Sequence, residues 1–407
     1  MLNRYLLAKF ACYTANISMS VVASLSPVLF LTFHTLYGIS YSLLGLLVLI
    51  NYITQLAIDL IFSFFSHKFN IPLTVKLTPV FTLIGLLIYG LSPVIFADNI
   101  YWGLALGTVV FSVSGGLSEV LISPVIAAIP AKDPDREMSK LHSIYAWGVV
   151  FVIVVSTLFL FFIGNSSWQY LAFIFAIIPL VSSLLFAFAE IPPMETPEKA
   201  SAAIHLLGDR GVWLCVLGIF LGGASECTMA QWASGYLEGA LGIDKVWGDI
   251  FGVALFSVML GLGRTLYARF RKNIERVLML GALGAFFCYI TAALLPIPWI
   301  GLLACAFTGF CVSMLWPGSL IAATDRFPAG GVFIFALMAS GGDLGASIGP
   351  QLIGLITDSV AASGIFSDVF PMFAPEQIGM KFGMLVAGIF PLCAVFVYKK
   401  LVKSQKK

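Results

Sequence analysis

The sequence predicts an all-α membrane protein of twelve transmembrane helices arranged as two six-helix halves. Three observations predict it. The chain of 407 residues is 60% hydrophobic and only 10% charged, against about 25% charged in soluble domains, so it has too little polar surface to cover itself in water. Its apolar residues fall into about twelve runs, each close to the ~20 residues that cross a bilayer. Its Lys and Arg residues gather on alternate connections, which is the pattern of a multi-pass protein with one basic face.

In chain order the spans are expected near residues 8–34, 41–65, 73–96, 100–129, 140–163, 168–190, 211–240, 247–268, 277–295, 299–325, 331–360 and 379–398. Most connections are short, which favours antiparallel neighbours. The longest polar stretch inside the chain is Ile191 to Arg210, IPPMETPEKASAAIHLLGDR. It contains Pro, Ala and charge but no hydrophobic run, and it falls between the sixth and seventh spans. The expected organisation is therefore a first half over 1–190, a cytoplasmic linker over 191–210 and a second half over 211–407.

With the N-terminus in the cytoplasm, Arg4, Lys9, Lys68, Lys76, Lys132, Arg136, Lys140, Lys199, Arg210, Arg269, Arg271, Lys272, Arg276, Arg326 and the tail from Lys399 to Lys407 all fall on the inner face. Only Lys245 and Lys381 fall outside. Miscounting one span would scatter these charges, so the bias predicts an even number of spans with both termini cytoplasmic, in the cell membrane (the cytoplasmic membrane of a bacterium). An internal repeat runs the same way in both halves. KFNIPLTV follows the second span and RKNIERVL the eighth, while SGGLSEVLISP and TGFCVSMLWP place small residues before a proline in the fourth and tenth. Two halves of like orientation are the parallel-repeat arrangement of a major facilitator transporter.

Few ionisable residues lie inside spans: Asp59, Glu119, Glu226, Arg264 and Asp343. Spans 3, 6, 9 and 12 carry none at depth, so those are expected to face lipid while the others enclose a polar cavity. A carboxylate in hydrocarbon costs about 2.5–3.5 kcal/mol on insertion scales, so each acid needs water, a partner or a proton. Glu119 is read as midway along its span, with Gly115, Gly116, Ser123 and Pro124 around it; the small residues let another helix or a ligand approach. Glu226, beside Gly222 and Gly223, and Asp343, in ASGGDLGASIGP, share its character. All three are candidates for solute binding and proton coupling; the structural alternative is a hydrogen bond between helices. Asn51, Gln55 and Asp59 recur every four residues and so share one helix face. Asn51 and Gln55 are candidate solute contacts, whereas Asp59 reads as a gate or inner-end contact. Arg264, near the inner end of its span, reads as the partner of a carboxylate or a helix end.

Gln231, Trp232, Trp147 and Trp316 complete the candidate contacts, since an indole face stacks on the apolar face of a sugar ring or another flat ligand. Most other aromatics read as packing or interfacial belt, and His34 and His142 as interfacial. Seven cysteines without metal spacing argue against a zinc site or a disulfide framework. There is no Walker loop and no HExxH. No catalytic residue, metal or cofactor is expected, and an enzyme has no motif in support.

The chain resembles the major facilitator superfamily over nearly its whole length and, more narrowly, the fucose permease-like sugar–proton symporters. Three pieces carry the narrower likeness. Glu119-Val-Leu-Ile-Ser123-Pro124 resembles that family's fourth-span pattern of Glu, three residues, Asn, Pro, with Ser123 for Asn. Leu141 to Gly148 resembles the start of its fifth span. Ser313-Met-Leu-Trp316-Pro317 resembles its tenth-span element. The resemblance implies that Glu119 is the sugar-binding or proton-coupling carboxylate. Fucose-specific members also use an aspartate in the first span, where TANISMSVVASLSP holds no acid.

These readings converge on a secondary active transporter that moves a small polar organic solute, a sugar being favoured, by alternating access with H+ (or Na+) as coupling ion. The expected partners are that solute, the ion and the lipid bilayer, with no nucleic acid and a monomeric chain. The alternatives are an exporter of amphipathic drugs or metabolites and a non-transporting sensor or scaffold. The amides Asn16, Asn51, Gln55 and Gln231 favour the polar solute; a signalling role normally adds a soluble domain.

Overall fold

The computed structural model describes residues 5–65, 68–130, 134–193, 206–270, 273–327, 331–364 and 371–404. Residues 194–205 of the expected linker, and Arg4, Lys132, Lys199, Arg271 and Lys272 of the expected basic face, lie outside the described residues. The described chain is helical, with no strand among the described residues.

Twelve helices follow one another. They are α1 (Leu6–Val28, carried on by Phe30–Tyr37), α2 (Tyr41–Phe65), α3 (Ile71–Ile95), α4 (Ile100–Ala128), α5 (Pro134–Ile163) and α6 (Trp168–Phe188). After the linker come α7 (Arg210–Gly239) and α8, which starts at Lys245–Trp247, passes through a π-helical stretch at Gly248–Ala254 and continues as Leu255–Phe270. Then come α9 (Ile274–Leu294), α10 (Pro298–Val312, then Leu315–Arg326), α11 (Gly331–Ser363) and α12 (Pro375–Ala387, then Ile389–Ser404). Eleven of these are long and apolar enough to cross a membrane among the described residues. The twelfth, α11, has 33 residues, about 50 Å at 1.5 Å per residue.

Polar residues punctuate the apolar runs. Asn70, Asn99, Asp209 and Asn273 cap α3, α4, α7 and α9, each side chain accepting from a first-turn N–H at 2.6–3.2 Å. These residues suit the N-cap because their short side chains reach the unpaired donors there. The start of α2 has a cap from elsewhere in the chain. The Asp358 carboxylate on α11 accepts from the N–H of Tyr41 at 3.1 Å and of Ser42 at 2.6 Å, and a negative charge suits the positive end of the helix dipole.

By its internal contacts the chain divides into two units: residues 1–32 with 53–199, and residues 33–52 with 200–407. In the first, Ala8, Ala11, Cys12 and Ala15 form one buried stripe of small residues on α1. That stripe lets Val75, Leu121, Val125 and Phe186 close around it. Side chains then tie the helices together: Asn16 donates to the Leu141 carbonyl at 2.6 Å, Ser20 to Tyr145 at 2.9 Å, and Ser182 to Ala11 at 3.1 Å. The Asn16 amide is thus committed to the contact between α1 and α5. In the second unit, buried tyrosines do the same work. Tyr236, Tyr289 and Tyr398 donate to the carbonyls of Ala292, Ser225 and Gly218 at 2.7–2.8 Å. Each is an aromatic body in an apolar contact with its hydroxyl satisfied.

Candidate functional site

In the first unit the candidate site forms where α2 meets α4. Gly115 and Gly116 present no side chain to α2. A Cβ on Gly116 would lie 2.8 Å from the Ile58 Cβ and 2.9 Å from the Gln55 carbonyl oxygen, and one on Gly115 would lie 2.8 Å from the Gln55 side-chain amide. The two helices therefore touch backbone to side chain. Two spans apart, they also run in the same direction. Asp59 comes eighteen residues after the start of α2 and Glu119 nineteen after the start of α4, so the two acids sit at one depth. A carboxylate oxygen of each lies within 4.8 Å of the other.

Their surroundings differ. Asp59 is 5% exposed, whereas Glu119 opens to solvent-accessible space. Gln55, one turn before Asp59 on the same face, is 8% exposed. Two carboxylates this close repel when both are anionic, so protonating either one relieves the repulsion. Glu119 proves to be about two-thirds of the way along its helix, not midway, and Asp59, toward the end of its own, is its neighbour. Sequence reasoning placed the two at different depths because it judged each against its own apolar run. Counting from the two helix starts would have paired them.

In the second unit the candidate residues gather around the break in α10. Pro317 has no N–H, so the carbonyl four residues earlier, that of Ser313, lacks its helical donor. The Nε–H of Arg264 on α8 supplies one at 3.1 Å, and the same guanidinium reaches Glu226 on α7 at 3.4 Å. Arg264 thus bridges a proline-made gap and a half-buried acid, the carboxylate partnership expected of it. Trp316, just before that proline, lies over glycines of two neighbours. A Cβ at Gly223 on α7 would lie 3.0 Å from its ring, and one at Gly342 on α11 2.5 Å from it. Asp343, next to Gly342, is 3% exposed. Arg264→Lys keeps the charge but gives up the planar fork that serves both acceptors. Leaving a buried acceptor unsatisfied costs about 1–3 kcal/mol, so the variant is expected to be less stable by that amount and to melt at a lower temperature than wild type in a thermal-denaturation assay.

The other expected contacts divide between packing and polar pairing. Trp232 is 1% exposed. Its indole N–H donates to the Pro350 carbonyl at 2.8 Å and its ring lies 6.2 Å from that of Tyr41, so it joins α7 to α11. Gln231 donates to the Tyr52 hydroxyl at 3.4 Å, and Asn51 is 6% exposed. Trp147, in the first unit, is 69% exposed and lines a groove formed by α1, α5 and α6.

A family model described as Major Facilitator Superfamily matches residues 11–350, and the chain belongs to that superfamily of membrane transporters. No curated protein matches the chain. Among solved structures, the chain is similar to a D-xylose–proton symporter, with TM-score 0.75, 15% identity, and coverage of 95% of this chain and 97% of that one. It is similar to the nucleoside transporter NupG, with TM-score 0.75, 11% identity and 97% and 99% coverage. It is also similar to the E. coli fucose:proton symporter FucP, with TM-score 0.59, 14% identity and 96% and 99% coverage. At these identities the likeness is one of fold.

Proposed function

We propose that the protein is a secondary active transporter of a small polar organic solute, with a sugar favoured, and that it couples transport to protons through Glu119 and Asp59. The observation that carries this reading is the approach of the two carboxylates within 4.8 Å at the α2–α4 contact. One of the pair is accessible and one buried, so a proton and a hydroxyl-bearing solute compete for, or share, the same acceptor oxygens. A carboxylate accepts hydrogen bonds from two vicinal hydroxyls, and the Gln55 amide on the same face adds a donor and an acceptor. In the second unit the proposed solute contacts are Glu226, Asp343, Trp316, Asn51 and Gln231. Glu226, paired with Arg264, is better suited to hold a counter-charge than to carry the coupled proton. Sugar–proton symport among proteins of similar fold supports the choice of solute and ion.

The test is uptake into proteoliposomes under an imposed pH gradient, inside alkaline, over a panel of pentoses, hexoses, nucleosides and a cationic dye. Accumulation of one polar solute that collapses with a protonophore is the expected result. Accumulation driven only by Na+, or expulsion of the dye with no polar solute moved, would contradict it.

The charge bias further supports both termini and the 191–210 linker on the cytoplasmic side. A membrane-impermeant thiol reagent added outside should label Ser166→Cys and leave Ser201→Cys unmodified. The reverse pattern would invert the orientation.

A further inference from the structure

A groove in the first unit is lined by none of the carboxylate pair's residues. Helices α5 and α6 both pack on α1 but scarcely touch each other, so they stand apart as two walls with α1 as the floor. The space between them is about 800 Å³, within the ~300–1,000 Å³ typical of small-molecule sites. Its walls are apolar, with Trp147 69%, Phe151 48%, Ile177 56% and Val181 42% exposed. At one end Phe151 meets Phe175 edge-on, the ring centroids 6.3 Å apart. At the other end stands Lys140, the one cation in the lining among the described residues, its side chain 45% exposed.

Length and charge together point to an occupant. From Lys140 to Phe151 the helix rises about 16 Å, close to half of the ~30 Å hydrocarbon core. The groove is therefore as long as one leaflet is deep, with its cation at the headgroup level. Tyr13 and Thr14, at that same end, spend their hydroxyls inside the protein: Tyr13 on Glu137 at 3.0 Å, Thr14 on the carbonyls of Phe10 and Ala11 at 3.0 Å. Glu137 is also paired with Lys9 and, at 2.9 Å, with Lys140. The Lys9 and Lys140 hydrogen bonds hold its carboxyl down at about 2, so it stays ionised at any working pH. Among the described residues, two ammonium groups then face one carboxylate, leaving a net positive charge where a phosphate would lie.

We propose that this groove is a binding site for one anionic phospholipid of the leaflet on the Lys140 side, its acyl chain lying between α5 and α6 and its phosphate paired with Lys140. The site is separate from the solute pathway proposed above and does not depend on that reading. Trp147, on the groove wall, is the reporter.

The test uses the full-length protein in phosphatidylcholine vesicles containing a small fraction of phospholipid brominated on its acyl chains, with either a phosphatidylglycerol or a phosphatidylcholine headgroup. The Trp147 share of the fluorescence is the difference between wild type and Trp147→Phe. The brominated phosphatidylglycerol is expected to bind about fivefold more tightly, as judged by quenching of that share, the effect of one basic residue at an anionic headgroup. Lys140→Gln should remove the preference, and Val181→Phe, which fills the groove, should weaken quenching by the anionic lipid. Equal quenching by the two headgroups in wild type would reduce the groove to a surface wetted by bulk lipid and overturn the proposal. A preference that survives Lys140→Gln, or one untouched by Val181→Phe, would overturn it too.

Discussion

Glu119→Gln is expected to abolish uphill accumulation of the solute while leaving exchange between equal concentrations measurable. Glutamine keeps the size of the side chain and its ability to hydrogen-bond, but it cannot take up or release a proton. If the coupled proton resides on the pair formed with Asp59, the variant loses the link between the pH gradient and the solute. Transport then stops when the inside and outside concentrations are equal. Replacing a charged acceptor by a neutral one also weakens binding, by about 1.5–3 kcal/mol for a hydrogen bond to a charged group, roughly tenfold to a hundredfold in affinity. Exchange should therefore be run at raised solute concentration. Accumulation and exchange falling together at saturating solute would make Glu119 a binding residue only. Undiminished accumulation by a well-folded Glu119→Gln protein would remove it from the mechanism. Asp59→Asn is the companion variant: if the repulsion between the two carboxylates is what sets the coupled proton's binding, removing one charge should also reduce accumulation.

The second large effect is expected from a single methyl group. Gly116→Ala places a Cβ 2.8 Å from the Ile58 Cβ and 2.9 Å from the Gln55 carbonyl oxygen. Neither neighbour can swing aside, because one is a branch point and the other is backbone. The helices must part, and overpacking of this kind costs about 1–3 kcal/mol. Parting α2 from α4 also separates Asp59 from Glu119, so accumulation should fall more than expression does. Gly115→Ala is the control. Its new methyl would meet the Gln55 side chain, which can rotate away, so the loss of stability should be smaller. Equal thermal stability of wild type and Gly116→Ala would show that the close contact is not needed.

The helical architecture was legible because it rests on length and hydropathy. The twelve apolar runs became helices whose ends differ from expectation by a few residues, as at α5, which starts at Pro134 rather than near 140. That extension could not be read from hydropathy, since the turn carrying Glu137 and Lys140 is charged and forms ion pairs. Glu119, Gln55 and the glycine pair stood out in the sequence and meet in the fold, and Arg264 does pair with a carboxylate. What hydropathy could not supply was who meets whom. Asn16 looks like a cavity amide in sequence and is a helix tie in the fold. Trp232 looks like a stacking surface and is sealed between helices. Arg264 and Ser313 are far apart in sequence, and only the missing N–H of Pro317 hints that the Ser313 carbonyl needs a donor.

The most direct measurement of the central claim is proton movement itself. Proteoliposomes in weakly buffered medium receive, without any imposed gradient, a pulse of the solute identified by uptake, and a pH electrode follows the outside. Wild type should turn the medium alkaline in proportion to the solute taken up, and Glu119→Gln should carry solute inward with no change in pH. An alkaline shift in Glu119→Gln equal to that of wild type, or solute entry by wild type with no pH change, would contradict the assignment of the coupled proton to this pair.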